Sequence, residues 1–405
     1  MSPTIPQAKN WREHNRIHKE QRKKWREERL IKKVKHEESE KLEETKKADD
    51  RQSIKKVNIS TVSIAVPGSI LDNAQSPELR TYLAGQIARA ACIYKVDEVI
   101  VFDDKGEITE SEKKKLRKDD VLGEGRVGCI QLARILQYLE CPQYLRKYFF
   151  PLHKDLQYAG LLNPLDAPHH LRQQDVSLFR EGVVTNKPIK TGKGSQVNVG
   201  LLNDVHVDKV LTSGIRVTVK ISPDQDNAKK IKGLVVPPNI PIAETGIYWG
   251  YTVRLANNLT EIFSKCPYAE GYDLSIGTSD KGTSIDDITP RSLEYNHALI
   301  VFGGLSGLEA ALDVDDHLNV DDPCLLFHKY LNTCPMQGSR TIRTEEAILV
   351  SLAELRSKLA PKYTPVLSSE FSSFIEKQKP DNLNTTEETH KDDTNAYNSD
   401  DDSSE

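Results

Sequence analysis

Apolar and polar positions along this chain follow two rhythms, and the switches between them divide it into segments. Residues 57–66 (VNISTVSIAV) are rich in β-branched side chains and stop at Pro67-Gly68, which predicts a buried strand. From Ser76 to about Tyr94 the apolar positions recur at helical spacing. Ser76 stands where a cap is needed, Pro77 falls in the first turn, and Leu79, Leu83, Ile87, Ala90 and Ala91 share the inward face. Residues 97–102 (DEVIVF) form a second strand, so the chain opens β–α–β, which implies a parallel sheet. The charged stretch 103–120 breaks the pattern and reads as a mobile surface insertion. A further helix is expected over about 128–139, and residues 144–150 gather aromatics.

Around residues 152–172 the rhythm dissolves into Pro, His and Asn, as at a crossing between domains. Between 179 and 242 it becomes short and alternating. Segments 181–184, 195–201, 204–210 and 214–221 are separated by turns bearing glycine or proline, the mark of a small antiparallel barrel. Arg180, Lys187, Lys190, Lys193, Lys209, Arg216 and Lys220 decorate it, so it is either an oligonucleotide-binding barrel or a structural one. Its thin supply of aromatics argues against stacking of single strands.

The sheet pattern then returns. Residues 246–255 read as a strand running into a helix that ends near Cys266, and 272–276 as a strand followed by the polar loop 277–282. Residues 297–302 form a strand that meets Gly303-Gly304-Leu305-Ser306-Gly307 at the opening of a helix. Residues 325–331 read as a short buried strand, 332–339 as a tight loop, and a helix starts near Thr341. Thr344, Glu345 and Glu346 give its first turn polarity, and Ala347, Ile348, Val350 and Leu352 give it an apolar face. The expected organisation is a basic arm over 1–55, disordered or helical, and an α/β domain in two halves, 56–172 and 243–360. A barrel occupies 173–242 and an acidic disordered tail 361–405.

Charge adds the ends of the molecule. The net charge of −4 hides +8 over residues 9–35 (twelve Lys/Arg, four Glu) and −8 over 370–405 (eleven Asp/Glu, three Lys). A polyanion should meet the N-terminal arm first, although nuclear targeting or simple solubilisation fits the same run. The scattered cysteines form no CxxC pair and point to free thiols in a reducing compartment. No apolar run approaches the roughly 18 residues of a membrane span, so no membrane partner is expected. His153, His169, His170 and His206 lack the ligand spacing of a metal site.

Three consecutive strand ends, at Gly277, Gly303 and Asn332, each carry a loop suited to a ligand. Carboxyl ends of strands are where a parallel α/β sheet builds its site, although each loop alone reads equally as an ordinary connection. Gly303-Gly304-x-x-Gly307 is neither the dinucleotide GxGxxG nor a phosphate-binding loop followed by Lys. An adenosyl ligand without phosphate fits better, and S-adenosyl-L-methionine is the common one.

The stretches YDLSIGTSDKG (272–282), VFGGLSGLE (301–309) and NTCPMQGSRTIRTEEAI (332–348) resemble the SPOUT class of S-adenosylmethionine-dependent RNA methyltransferases. The similarity runs from about 57 to 359 and is nearest to the branch with a barrel inserted in the knotted domain. That resemblance implies a SPOUT trefoil-knot α/β methyltransferase fold with an inserted OB-like barrel. It implies a homodimer and a cofactor bent into the knot. By position it implies a lining of Thr278, Lys281, Gly303, Gly304, Gly307, Glu309, Asn332, Thr333, Cys334, Gln337, Gly338, Ser339 and Thr341. Met336 departs from the pattern, since relatives carry glycine there. The metazoan members it resembles imply N3 of a ribosomal-RNA uridine as target, a nuclear or nucleolar location, and spindle and kinetochore association in mitosis.

Methylating uracil N3 requires its anion, and positive groups where negative charge develops would favour it. Arg340, Arg254 and Arg89 are the candidates, each with a structural alternative: pairing with Glu345 or Glu346, capping a strand, or simple exposure. Tyr248, Trp249 and Tyr251 suit a core or interface better than base stacking, and Cys334 suits a packed thiol. Two rival functions remain, a catalytically idle RNA-binding or kinetochore scaffold on the same fold and a nucleotide hydrolase. The intact glycine loops oppose the first and the absent phosphate-loop lysine opposes the second.

Overall fold

The computed structural model of the chain describes residues 59–106, 126–189, 194–222 and 231–365, with 319 and 321 excepted. The expectations for the arm over 1–55, for most of the tail and for 107–120 lie outside these residues.

Strand β1 (Thr61–Pro67) passes through a 3-10 turn into helix α1 (Pro77–Ile93) and strand β2 (Glu98–Phe102). Ser76 caps α1 as expected, its Oγ accepting from the Leu79 amide at 3.3 Å. Helices α2 (Val127–Glu140) and α3 (Gln143–Phe149) follow. Strands β3 (Phe179–Val184), β4 (Gln196–Asn198), β5 (Val205–Val207), β6 (Arg216–Ile221) and β7 (Lys232–Val236) come next. The chain then makes α4 (Ile240–Thr245), β8 (Thr252–Ala256), α5 (Leu259–Ser264), β9 (Leu274–Ser284), β10 (Leu293–Tyr295) and β11 (His297–Val301). It ends with α6 (Gly307–Asp313), β12 (Lys329–Asn332), α7 (Thr344–Lys358) and β13 (Leu359–Pro361).

Six strands form one parallel sheet in the order β12-β9-β11-β1-β2-β8. Alternation along β1 decides its two faces. Ile64 and Val66 pack with α1, α2 and α7, while Ala65 packs with α5 and α6. A sheet covered on both faces reads as continuous apolar strands, which is why β1, β2 and β11 are so plain in the sequence. Leu79 departs from expectation: it is 53% exposed, because the inward face of α1 begins with Thr81 and Leu83.

β3 to β7 close a separate five-stranded barrel in the order β3-β4-β5-β7-β6. Its one parallel contact joins β5 to β7, and the topology is that of a Greek-key OB barrel. Val184, Val197, Val199, Val205, Val207 and Val219 fill it, compact branched side chains suited to a narrow interior. The fifth strand, β7, escaped the sequence pattern. The parallel α/β sheet with an inserted OB-like barrel bears out the fold that the SPOUT resemblance implied.

Two basic residues read as surface decoration of the barrel are structural. Arg180 is buried and donates to the carbonyls of Arg172, Asp175 and Val199. Arg216 donates from Nη1 and Nη2 to Glu140 on α2, at 2.6 and 2.9 Å, and from Nε to Glu181 on β3 at 2.8 Å. The segments flanking the barrel join the same cluster. Trp249 Nε1 donates to Glu181 at 2.7 Å, and the ring nitrogens of His169 and His170 bond the Glu140 carbonyl at 2.9 and 2.7 Å. Tyr248 and Tyr251 are also core residues, donating to the carbonyls of Val96 and Leu136. Of the expected strand 246–255 only residues 252–255 enter the sheet, in a strand that runs on to Ala256.

Candidate active site

The carboxyl ends of β9, β11 and β12 meet, but not as three separate loops. β9 continues to Ser284, and its partner β12 pairs Tyr330 with Gly277 and then Leu331 with Thr283. Residues 278–282 therefore stand out of the ladder as a wide bulge. The bulge crosses β12 so closely that a Cβ on Gly282 would lie 2.5 Å from the Leu331 carbonyl carbon. Only a residue without a side chain permits that crossing. The strand expected over 325–331 is also shorter: Leu325 sits in a 3-10 turn, 76% exposed.

A chain of contacts ties these segments together. Thr278 Oγ1 donates to the Val301 carbonyl at 3.0 Å, and Lys281 Nζ to Glu309 Oε1 at 2.7 Å. That bond holds the exposed Lys281 ammonium above its usual range. Asn332 Nδ2 donates to the Asp280 carbonyl at 3.0 Å while its Oδ1 accepts from the Cys334 amide at 3.1 Å. Thr333 Oγ1 and Ser351 Oγ lie 2.6 Å apart. Gly307 N donates to the Gly304 carbonyl at 3.1 Å, closing the glycine turn, and Thr344 Oγ1 donates to the Gly303 carbonyl at 3.1 Å. Thr344, which the sequence offered only as first-turn polarity, and Ser351, which it did not single out, thus support these segments.

Of the lining that the resemblance implied, the structure brings Thr278, Lys281, Gly303, Gly304, Gly307, Glu309, Asn332, Thr333 and Cys334 into this connected set. Gln337, Gly338, Ser339 and Thr341 follow in the loop before α7. The helix begins at Thr344 rather than near Thr341, and Glu346 Oε2 accepts from the Arg343 amide at 3.1 Å. The arrangement disfavours a phosphate. The Asp104 carboxylate lies beside Gly304, and the nearby lysine, Lys281, is already held by Glu309 rather than free for an anion.

The arginine candidates fall in three different places. Arg254, on edge strand β8, pairs with Glu98 at 2.8 Å and also donates to Tyr272 Oη and the carbonyls of Glu261 and Ile262. Arg89, on α1, donates to the carbonyls of Pro164 and Leu165 and lines a groove of about 250 Å³ between α1 and α7. Arg340 lies in the exposed loop before α7 with no side-chain partner among the described residues. The arginine beside Glu345 is Arg343, at 3.9 Å. Among the described residues no group of three His, Cys, Asp or Glu is placed to hold a metal.

A parallel sheet carrying crossed segments at its carboxyl edge, with an OB-type barrel inserted, is the fold expected of a SPOUT-type methyltransferase. Residues 61–355 match the family model described as putative RNA methyltransferase, and the chain belongs to that family. It is 56% identical over 364 residues (88% of this chain, 74% of the relative) to a Drosophila melanogaster protein named 28S rRNA (uridine-N(3))-methyltransferase. Proteins of the same name from Mus musculus and Homo sapiens are 58% and 53% identical, covering 74% and 81% of this chain and 77% and 85% of their own lengths. The methyl donor of such enzymes is S-adenosylmethionine, which supplies an electrophilic methyl group on a sulfonium.

Proposed function

We propose that this protein methylates N3 of a uridine in large-subunit ribosomal RNA, with the set around Gly303, Gly304 and Asn332 holding S-adenosylmethionine. The observation that carries the reading is the connected ring of bonds joining residues 278–284, 301–309, 332–334 and 344 at the edge of the sheet. The names of the three relatives support the base and its atom. Arg340 is the arginine we favour for meeting developing charge, since Arg254 and Arg89 spend their donors on protein groups.

Two experiments test this. Calorimetric titration of the purified chain with S-adenosylmethionine should show saturable binding, and its absence would leave only the idle scaffold. Mapping N3-methyluridine in ribosomal RNA from cells with and without the protein should show loss at a discrete site. A homodimer through α1 and α7 belongs to the same reading, and so does a nuclear or nucleolar location. Association with spindle and kinetochore rests on the resemblance alone, and imaging of the tagged chain through mitosis checks it.

A further inference from the structure

The proposed reaction leaves one proton unassigned. N3 of uridine must lose its hydrogen, and arginine, protonated at any working pH, cannot take it. We propose that Asp104 is the base that accepts the N3 proton of the target uridine, an inference that rests on the reaction proposed above.

Asp104 stands two residues beyond the end of β2, at the carboxyl edge of the sheet two strands from β11. It reaches the glycine turn: a Cβ on Gly304 would stand 2.9 Å from Asp104 Oδ2 and 3.1 Å from Ser69 Oγ. Ser69, just after β1, orients the carboxylate, its Oγ donating to Oδ2 at 2.5 Å and its amide to Oδ1 at 3.4 Å. The neighbouring carboxylates are already matched by cations. Asp103 pairs with Arg126 at 3.0 Å, Asp72 with Lys105 at 2.5 Å, and Glu309 with Lys281 at 2.7 Å. Asp104 has no such partner among the described residues. It is therefore a half-buried, oriented acceptor that touches the loop proposed to hold the methyl donor.

The step balances simply. The N3–H bond breaks and its proton passes to a carboxylate oxygen of Asp104. The freed N3 pair forms the bond to the methyl carbon as the S–C bond breaks with its pair on sulfur, leaving S-adenosylhomocysteine. Asp104 then releases the proton to solvent.

The test uses the full chain and Asp104→Asn, which keeps shape and hydrogen bonding but is not a base. Calorimetry should give S-adenosylmethionine and RNA affinities within about twofold of wild type, while methyl transfer falls by about 10²–10⁴. The residual rate of the variant should climb tenfold per pH unit as N3 ionises unaided, where wild type is already flat. A 5-fluorouridine at the target position, whose N3 proton is more acidic, should shrink the defect. Retention of wild-type rate by the variant, or a loss unaltered by pH and by 5-fluorouridine, overturns the proposal. Weakened cofactor binding that accounts for the whole loss makes Asp104 structural and overturns it too. A wild-type chain that methylates no uridine overturns the reaction itself and Asp104's role with it.

Discussion

Met336 has a φ of 56° and is 99% exposed, a left-handed backbone with no packing to hold it. That conformation favours a residue without a Cβ, so methionine is strained there. Met336→Gly removes the Cβ conflict but adds unfolded-state freedom, so a net gain of at most about 1 kcal/mol is expected, read as a higher urea midpoint. Gly303 and Gly304 should respond differently. A Cβ on Gly303 would meet Gly307 and Leu308 backbone at 2.8–3.0 Å, whereas one on Gly304 meets only the ends of Asp104 and Ser69. Gly303→Ala should therefore lower the melting temperature and abolish cofactor binding together. Gly304→Ala should weaken binding about tenfold or more while the melting temperature barely moves. Neither neighbour was legible in the sequence, since Ser69 and Asp104 lie about two hundred residues or more from these glycines.

At the scale of elements, periodicity was a good guide to existence and a poorer one to extent. In α7 the sequence offered Ala347, Ile348, Val350 and Leu352 as the inner face, while the structure buries Ile348, Ser351, Leu352 and Leu355. Ser351 is inside because it meets Thr333 beneath the site, a tertiary demand that overrides hydropathy. The polar run 277–282 looked like a loop because its side chains are polar. It lies within β9 because the crossing of β12 uses backbone, which hydropathy does not report. Leu349 on α7 and Tyr82 and Ile93 on α1 stay exposed around the groove. Leu349→Asp should halve the mass measured by light scattering if this face joins two copies, while leaving the fold's circular dichroism intact.

For the whole molecule, the decisive contact is the one between barrel and sheet. Burial would push the Glu140 carboxyl up, but Arg216 and His169 outweigh it and hold it at about 2. Burial also depresses His170 to about 4. Both groups are depressed in the folded state, so their contribution is complete above the unfolded value of each. That of His170 fades as pH falls from about 6.5 toward 4, and that of Glu140 as it falls from about 4.5 toward 2. Acidification should thus raise hydrogen exchange in β3, β6 and the Trp249 segment before it does so in β1 and β11. Arg216→Met leaves Glu140 and Glu181 without their cation and should cost about 3–5 kcal/mol in chemical denaturation.

The sequence by itself determined the kind and order of most elements, the parallel sheet, the inserted barrel and the family. Burial on one face or both imprints a period on neighbouring residues, and long motifs identify a family without coordinates. Tertiary structure alone decided that Arg180 is a buried support and Arg216 a half-buried one, that 278–282 crosses β12, and that Asp104 faces Gly304. Those outcomes depend on which distant groups meet, and a partner's position leaves no periodic trace in the local sequence.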